Sequence, residues 1–358
     1  MQNRDALTLD DVDSALRFVS PDNRDEWVRV GMAIKSEFGD GGFDTWDSWS
    51  KQGSTYNAAT AQTVWRSFKA GGTGIGSLVF LAQENGFKFN KKDLTEQDRQ
   101  RLAAEASARA VEVAARAEKD KQERARGHKF AAATAQHIWA RLAVESGASD
   151  YLTRKGVRAY GVRFLEYGLV IINPDLSLDH RPKVLSGPDA VRHFFDNEAK
   201  STASFHYHKR GTVVVPVQVD GELVNLQFIS ACGNKKFIKG GRKSGGLAWV
   251  HSTVPGELYA QNGGVVAIAE GYSTAASIHM ATGWPVVVAF DAGNLMAVAQ
   301  SVRALFPDAR LVVCGDDDRD TEGNPGRTKA QAAAVQVGGV ALFPEFGRAI
   351  SGKDEAAA

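Results

Sequence analysis

Between residues 263 and 344, short apolar runs alternate with helical segments, and this alternation constrains the fold more than any other feature of the sequence. The apolar runs are GVVAIA, PVVVAF, ARLVVCG and VALF; the segments between them are STAASIHMATG, NLMAVAQSVRALF and TKAQAAAVQVGG. Strands that are apolar throughout and alternate with helices predict a mainly parallel sheet that is covered on both faces. Ligands of such sheets bind beyond the carboxyl ends of the strands.

Acidic residues stand at two of these strand ends. Glu270 directly follows VVAIA and Asp316 directly follows LVVCG, so we expect both at the same edge of the sheet. In an extended Asp316-Asp317-Asp318 segment, alternate side chains share a face. Asp318 is therefore expected to join Asp316, whereas Asp317 points away. Asp320 is a further candidate on the loop that follows.

Convergence of Glu270, Asp316 and Asp318 indicates a divalent metal site. Two carboxylates about 4 Å apart repel by roughly 4 kcal/mol at an effective dielectric constant near 20, and a bound cation would relieve that repulsion. Ligands that offer only oxygen suit Mg²⁺ or Mn²⁺ rather than zinc. The alternative is an acidic loop at the strand ends that holds no metal.

Cysteine content and hydropathy exclude several classes of protein. The two cysteines, Cys232 and Cys314, cannot form a disulfide framework or a zinc module that needs three or four cysteines. This pattern fits a reducing, cytoplasmic compartment. No apolar run reaches the roughly 18 residues that span a bilayer, and the N-terminus lacks a signal-peptide pattern. No membrane partner is therefore expected.

The chain as a whole is predicted to be a multidomain α/β protein. Residues 1–90 form a small helical domain, and residues 91–129, rich in Ala, Glu, Lys and Arg, form a long charged helix that acts as a solvated linker. Residues 130–260 form a mixed α+β subdomain with a hairpin turn at Asp220-Gly221. Residues 261–350 form the α/β domain with the parallel sheet.

Four of the seven tryptophans fall within the first 90 residues, at Trp27, Trp46, Trp49 and Trp65. One interpretation is that they form the core of a domain too small to do without aromatic residues. The other is that exposed rings stack on the bases of single-stranded nucleic acid.

Basic residues are concentrated before the α/β domain. Eight lie between residues 200 and 243, opposed only by Asp220 and Glu222. The candidates for contact with nucleic acid or nucleotide in CGNKKFIKGGRKSGG are Lys235, Lys236, Lys239, Arg242 and Lys243. A flexible, glycine-rich, cationic loop can wrap a phosphate backbone; a plain solvated loop is the alternative. The net charge of +1 requires any such surface to be local. Lys329 is a further candidate for phosphate contact.

The segments VVAIAEGYSTAASI and LVVCGDDDRD resemble the toprim domain shared by DnaG-type primases, topoisomerases and some nucleases. The resemblance implies that Glu270 is an acid/base or metal-orienting residue, and that Asp316 and Asp318 hold the metal. GNPGRTKAQAAAVQVGG looks like the version in primases of conjugative plasmids and phages. LVNLQFISACGNKKFIKGGRKSGG is similar to the subdomain that precedes toprim in those primases, where a lysine in a K-[FY] context faces nucleotide or template. By match, that lysine is Lys236.

The segment NRDEWVRVGMAIKSEFGDGGFDTWDSWSKQ resembles the type 2 primase C-terminal domain, a small helical domain found beside primase catalytic units in mobile elements. Two features depart from the family pattern. Thr274 stands where DnaG-type enzymes have an acid four residues after the motif glutamate. In the final segment RAISGKDEAAA, only Asp354 could begin the DFND-like acidic motif of related plasmid primases.

Together the resemblances imply a toprim DNA primase of a plasmid, phage or integrative element. Such an enzyme condenses ribonucleoside triphosphates on a single-stranded DNA template with Mg²⁺ or Mn²⁺ and needs no zinc. A replicative helicase or other replication proteins are possible partners. Two alternatives stay open: a metal-dependent nuclease that uses the same carboxylates, and a catalytically inactive replication or transfer protein that binds single-stranded DNA.

Overall fold

The computed structural model describes residues 7–68, 73–88, 96–173, 183–197, 204–251, 259–319, 321 and 323–344. The chain divides into two compact units, Met1–Gln122 and Glu123–Ala358. Among the described residues, no helix combines the length and the apolar character needed to cross a membrane.

Five α-helices precede the long helix in the described part of the first unit: α1 (Leu9–Leu16), α2 (Arg24–Phe38), α3 (Phe43–Ser50), α4 (Ala58–Ser67) and α5 (Gly76–Glu84). Side chains set several of their starting points. Thr8 and Asp11 form a capping box at α1, and the side-chain oxygens of Asn23 and Asn57 accept backbone N–H groups of α2 and α4. Such caps satisfy donors that the first turn of a helix leaves without a partner.

The tryptophans of this unit lie in its core. Trp27, Trp46, Trp49 and Trp65 are 9%, 0%, 2% and 4% exposed. The indole N–H of Trp27 donates to Ser50 Oγ at 2.7 Å, and that of Trp49 donates to the carbonyl of Val19 at 2.9 Å. Base stacking requires exposed rings, so the core interpretation is confirmed.

Helix α6 (Glu96–Arg141) runs without a break through the predicted boundary at residue 130. Its described side chains are mostly exposed before that point. Beyond it, Ala131, Ala135 and Ile138 are buried. The change in composition near residue 130 therefore marks where one helix passes from a solvated face to a packed one.

The second unit contains, after α6 and in chain order, β1 (Ala143–Val144), α7 (Asp150–Lys155), β2 (Arg163–Leu165), β3 (Leu169–Ile172), β4 (Lys183–Ser186), α8 (Pro188–Asp196), β5 (Phe205–His208), β6 (Val213–Val219), β7 (Glu222–Ile229), β8 (Lys235–Phe237), β9 (Ala248–Trp249), β10 (Val265–Ala269), α9 (Tyr272–Thr282), β11 (Val286–Val288), α10 (Leu295–Leu305), β12 (Arg310–Cys314), α11 (Pro325–Gln336) and β13 (Val340–Leu342). These strands form three sheets.

Two of the sheets are antiparallel. β1, β2, β6, β7 and β8 lie side by side in that order, and β3 lies between β4 and β5 in a smaller sheet. The β6–β7 hairpin turns at Asp220 and Gly221, whose φ angles are 51° and 81°. Two successive positive φ angles are the signature of a type I′ turn, so the predicted hairpin is confirmed.

The third sheet has the order β13-β12-β10-β11-β9. Strands β10 to β13 are mutually parallel, and β9 is an antiparallel edge strand. β9 comes from LAWVHS, which the sequence interpretation assigned to the preceding subdomain. The pairing of Trp249 with Val287 and of Ala248 with Val288 instead places it beside β11.

Strand β10 contributes to two hydrophobic cores because alternate side chains leave a strand on opposite faces. Val265, Ala267 and Ala269 pack in a core shared with the five-stranded antiparallel sheet, α7 and α9. Val266 and Ile268 pack in a core with α10 and α11. Burial on both faces explains why this strand is apolar throughout, and it holds the strand ends in fixed positions.

Candidate active site at the carboxyl edge of the parallel sheet

Glu270 and Asp316 lie at the ends of neighbouring strands. The register pairs Ala269 of β10 with Cys314 of β12, so the two chains leave the sheet at the same level. The backbone N–H of Asp316 donates to Glu270 Oε1 at 3.1 Å. Glu270 is 8% exposed, whereas Asp316 is exposed. The fold thus brings these two acids together.

Asp317 and Asp318 have separate partners. Asp318 Oδ2 accepts the backbone N–H of Gly326, at the start of α11, at 3.1 Å. Asp317 accepts from Asn324 Nδ2 at 2.7 Å and pairs with Arg319, and its side chain is only 2% exposed. The hydrogen bonds from Asn324 and then Arg319 hold the pKa of Asp317 below its ordinary value. Asp317 is therefore turned into the loop, where it stabilises the loop fold, rather than toward solvent.

Gly326 allows the aspartate loop to rest directly on the first turn of α11. A Cβ atom at this position would lie 2.6 Å from the carbonyl oxygen of Asp316 and 2.9 Å from Asp318 Oδ2. Side chains of any size would push the loop away, so the glycine fixes where Asp316 and Asp318 stand relative to the sheet.

Asp291 is a fourth acid at this edge, and the sequence analysis missed it. It follows β11, which is parallel to β10 and pairs with it. The pKa of Glu270 is raised chiefly by burial, and the negative charges of Asp316, Asp318 and Asp291 raise it further. The signal was available, because Asp291 in PVVVAFD closes an apolar strand in the same way as Glu270 and Asp316 do.

Within the described part of the chain, no three His, Cys, Asp or Glu side chains are grouped closely enough to hold a metal ion. The expected three-carboxylate convergence is therefore not formed by the side chains as they stand, because Asp318 turns one oxygen toward α11 and Asp316 extends into solvent. The donor set still fits Mg²⁺ or Mn²⁺, because it offers only carboxylate oxygens. Burial first, and then the charges of the neighbouring carboxylates, raise the pKa of Glu270.

A cleft of about 420 Å³ adjoins Asp316. The cationic and hydroxyl side chains that line it come from α7, β8 and the first turn of α9, and are Tyr151, Arg154, Lys155, Lys235, Ser273 and Thr274. Helix α9 begins here without a side-chain cap on its first N–H groups, so the positive end of the helix faces the cleft. Cations, hydroxyls and a helix N-terminus together suit a phosphate group.

Arg154 and Lys155 were also missed from the sequence. The structure shows a short helix, α7, that ends at Gly156 in the left-handed conformation and places both cations in its last turn. Two adjacent basic residues before a helix-terminating glycine were the available signal.

The predicted basic residues separate into different places. Lys235 lines the cleft beside Asp316. Lys236, the residue indicated by the family resemblance, lies near His206 of β5 instead. The pKa of His206 is lowered first by burial and then by the charge of Lys236.

The other candidates lie elsewhere. Lys243 forms an ion pair with Asp291. Lys329 Nζ lies 4.0 Å from where a Cβ of Gly293 would be, next to Asp291. Asp320 and Asp354 lie outside the described residues.

Residues 238–246, here called the basic arm, are held in place by two buried asparagines. Asn225 Oδ1 accepts the N–H of Ile238 at 3.2 Å, and Asn225 Nδ2 donates to the carbonyl of Arg242 at 3.3 Å. Asn294 Oδ1 accepts the N–H of Gly245, and its Nδ2 donates to the carbonyl of Gly246, both at 2.8 Å. Buried amides thus satisfy backbone groups of the arm at both ends, in a segment for which the sequence predicts a flexible loop.

We expect Glu270→Gln to raise the melting temperature of the second unit near neutral pH in the presence of a chelator. Because burial and neighbouring carboxylates raise the pKa of Glu270, its protonated form favours the folded state. That contribution is complete below the ordinary glutamate pKa and is lost as pH rises through the raised folded pKa. Glutamine mimics the protonated form, so the gain should be a few degrees, about 2–4 °C per kcal/mol.

Calorimetry of the two proteins across a pH series measures this gain. The difference should shrink toward zero as the pH falls below the ordinary glutamate pKa of about 4.3, because Glu270 is then protonated in both the folded and the unfolded chain. A gain in melting temperature of equal size at all pH values would contradict the raised pKa of Glu270 in the folded protein.

Two family models match the chain. Residues 12–82 match the Primase C terminal 2 (PriCT-2) family, and residues 265–349 match the Toprim domain. The first unit therefore contains a PriCT-2 domain, and the parallel sheet with its acidic edge belongs to a Toprim domain. Both resemblances noted in the sequence are confirmed.

Two curated proteins from Escherichia coli, each named DNA primase TraC, are homologous to part of the chain. They are 45% and 42% identical over 139 residues. Each alignment covers 38% of this chain but only 13% and 9% of the two relatives, so this chain corresponds to a small part of their length. No solved structure matches it.

Proposed function

We propose that this homologue of DNA primase TraC, with its PriCT-2 and Toprim domains, synthesises short RNA primers on single-stranded DNA from ribonucleoside triphosphates. One observation carries the proposal: Asp316, whose backbone N–H donates to Glu270, lines a cationic cleft of about 420 Å³. That volume is in the range of small-molecule sites, and it joins acidic and phosphate-binding groups as nucleotidyl transfer requires.

Glu270, Asp316 and Asp318 are the residues that would hold Mg²⁺ or Mn²⁺, and Asp320 is a further candidate. Bound there, the ion would neutralise charge on the phosphate oxygens during transfer. Asp318 would be kept in place by its hydrogen bond from Gly326, which leaves its other oxygen available. Asp291 adds negative charge at the same edge and in turn holds Lys243.

The triphosphate is assigned to the cleft. Arg154, Lys155 and Lys235 supply the positive charge, and the N-terminus of α9 supplies backbone donors. Thr274, which lines the cleft, would add a hydroxyl donor for a phosphate oxygen at the position where DnaG-type enzymes have an acid.

In the chemical step, a ribose hydroxyl oxygen attacks the α-phosphorus, and the bond from that phosphorus to the pyrophosphate oxygen breaks. Pyrophosphate leaves with the electron pair of that bond. If Glu270 acts as the base, Asp316 and Asp318 would hold the metal, and Glu270 Oε2 would accept the hydroxyl proton, because Oε1 already accepts the N–H of Asp316. Its raised pKa makes it a stronger base than an ordinary carboxylate.

The decisive experiment incubates the full chain with an unlabelled single-stranded DNA template, labelled ribonucleotides and Mg²⁺ or Mn²⁺. Template-dependent labelled RNA supports the proposal. A parallel reaction with labelled DNA and no nucleotides separates the rivals. Cleavage there without RNA synthesis would identify a nuclease, and DNA binding with neither product would identify an inactive binding protein.

Replacing cationic side chains of the cleft should weaken the binding of ribonucleotides. Lys235→Ala and Arg154→Ala are each expected to raise the KM for ribonucleotides about ten- to a hundredfold, since a hydrogen bond to a charged group contributes about 1.5–3 kcal/mol. Steady-state kinetics measure this change. Lys209→Ala, an exposed lysine that does not line the cleft, is the matched control. An unchanged KM in both cleft variants would remove the triphosphate from this site.

The wider setting belongs to the same proposal. We propose that the protein acts in the cytoplasm, in replication or transfer of a plasmid, phage or integrative element, and its resemblance to primases of such elements supports this. A replicative helicase or another replication protein is the expected partner, and pull-down from cells that carry the element would test it.

A further inference from the structure

The basic arm is in backbone contact with helix α6. A Cβ atom at Gly127 of α6 would lie 2.9 Å from the carbonyl oxygen of Gly240, and one at Gly241 would lie 2.9 Å from Cβ of Ala131. Glycines on both sides therefore let the arm and the helix approach more closely than other residues would allow. Side chains one turn from Gly127 on α6 must flank the arm.

Cations gather on both sides of this contact. Arg242 of the arm and Arg124 of α6 both act on His128, whose pKa is lowered by burial first and then by these two charges. Lys236 and Lys239 act in the same way on His206. All four cations are exposed, and none forms an ion pair with another described residue. The chain has no acid between residues 230 and 250, the segment that contains Lys236, Lys239 and Arg242.

Strand β8 separates these cations from the nucleotide cleft. Successive side chains of a strand point to opposite faces, so Lys235 reaches the cleft while Lys236 lies on the other face with His206. The cations come from three segments, β8, the arm and α6, and lie in two groups, one beside His206 and one beside His128. An extended polyanion matches this distribution, and an arm already fixed by Asn225 and Asn294 loses little freedom when it binds one.

We propose that Arg124, Lys236, Lys239 and Arg242, here called the α6–arm surface, bind the phosphate backbone of the single-stranded DNA template outside the nucleotide cleft. The proposal rests on the proposed primase function for the identity of the strand. It adds α6 to the nucleic-acid interface and assigns Lys235 and Lys236 to different ligands.

The test compares wild-type protein with the double variant Arg124→Ala/Arg242→Ala by fluorescence anisotropy. The probe is a labelled single-stranded oligonucleotide of mixed sequence, titrated at several salt concentrations without nucleotides or metal. Each lost phosphate contact should lower the slope of log K against log salt by about 0.7, hence about 1.4 for the pair. Alanine preserves α6, and Asn225 bonds only the backbone of Arg242, so the fold should persist. Arg192→Ala, an exposed arginine of α8, is the control.

A double variant that binds with wild-type affinity and salt slope would overturn the proposal. Tighter binding of a labelled duplex than of the single strand, with the same loss in the variant, would overturn the template assignment. Failure of the proposed function is a different result: wild-type protein would show the α6–arm dependence of binding and yet make no RNA. Active protein whose double variant binds DNA normally would reject this inference alone.

Discussion

Asp316→Ala is expected to reduce template-dependent RNA synthesis by at least about a hundredfold. Replacing a residue that only supports a metal ligand typically lowers metal affinity or activity ten- to a hundredfold. Loss of a direct ligand should therefore lower activity at least as much. Asp316 is exposed, and its interaction with Glu270 is made by its backbone N–H. The alanine variant therefore keeps that hydrogen bond and should keep the fold.

Asp308→Ala is the matched control for this experiment. Asp308 is an exposed aspartate in the turn before β12, so it lies at the opposite end of the strand that leads to Asp316. It should retain full activity. Mn²⁺ binding, followed by electron paramagnetic resonance, gives a second readout that should weaken only in Asp316→Ala. Equal RNA synthesis by both variants would exclude Asp316 from catalysis.

Trp46→Ala is expected to remove most of the stability of the first unit. Trp46 is fully buried, and its ring lies 4.5 Å from that of Trp27 and 5.3 Å from that of Trp65, centre to centre. Truncation of a buried tryptophan typically costs about 3–5 kcal/mol. The total stability of a typical domain is only about 5–15 kcal/mol. Urea denaturation followed by tryptophan fluorescence should show a large shift to lower urea.

Phe80→Ala supplies the control, because Phe80 is 61% exposed in the same unit. Its effect should stay within about 0.5 kcal/mol, as for most surface substitutions. The same variants decide between the two interpretations of the tryptophan cluster. If Trp46→Ala left the denaturation curve unchanged but weakened binding of single-stranded DNA, the ring would be a stacking surface and not part of the core.

The acidic edge shows how far strand periodicity leads. The apolar runs of β10 and β12 were sufficient to place Glu270 and Asp316 at one edge, and their hydrogen bond agrees with that placement. Asp291 follows from the same rule applied to β11, although no run of aspartates marks it in the sequence. The separation of Asp317 from Asp318 depended on Asn324 and Gly326, which contact them only once α11 is packed.

The basic residues show the limit of the same reasoning. In the sequence they form one glycine-rich run, which predicts one flexible loop. In the structure, Lys235 lines the cleft and Lys243 pairs with Asp291. Arg242 lies beside α6, near His128. The position of Lys235 follows from the alternation of side chains along β8, which is a local property of the chain. The position of the arm depends on the buried side-chain amides of Asn225 and Asn294, which belong to segments distant in sequence.

The sequence by itself determined the parallel sheet, the hairpin at Asp220-Gly221 and the edge at which Glu270 and Asp316 meet. These follow from apolar periodicity and turn chemistry, which act between neighbours in the chain. Only the tertiary structure decided that Arg154 and Lys155 face the same cleft as Lys235, and that α6 lies against the basic arm. Such contacts join segments far apart in sequence, so burial and packing of the whole unit select them, and no local pattern encodes them.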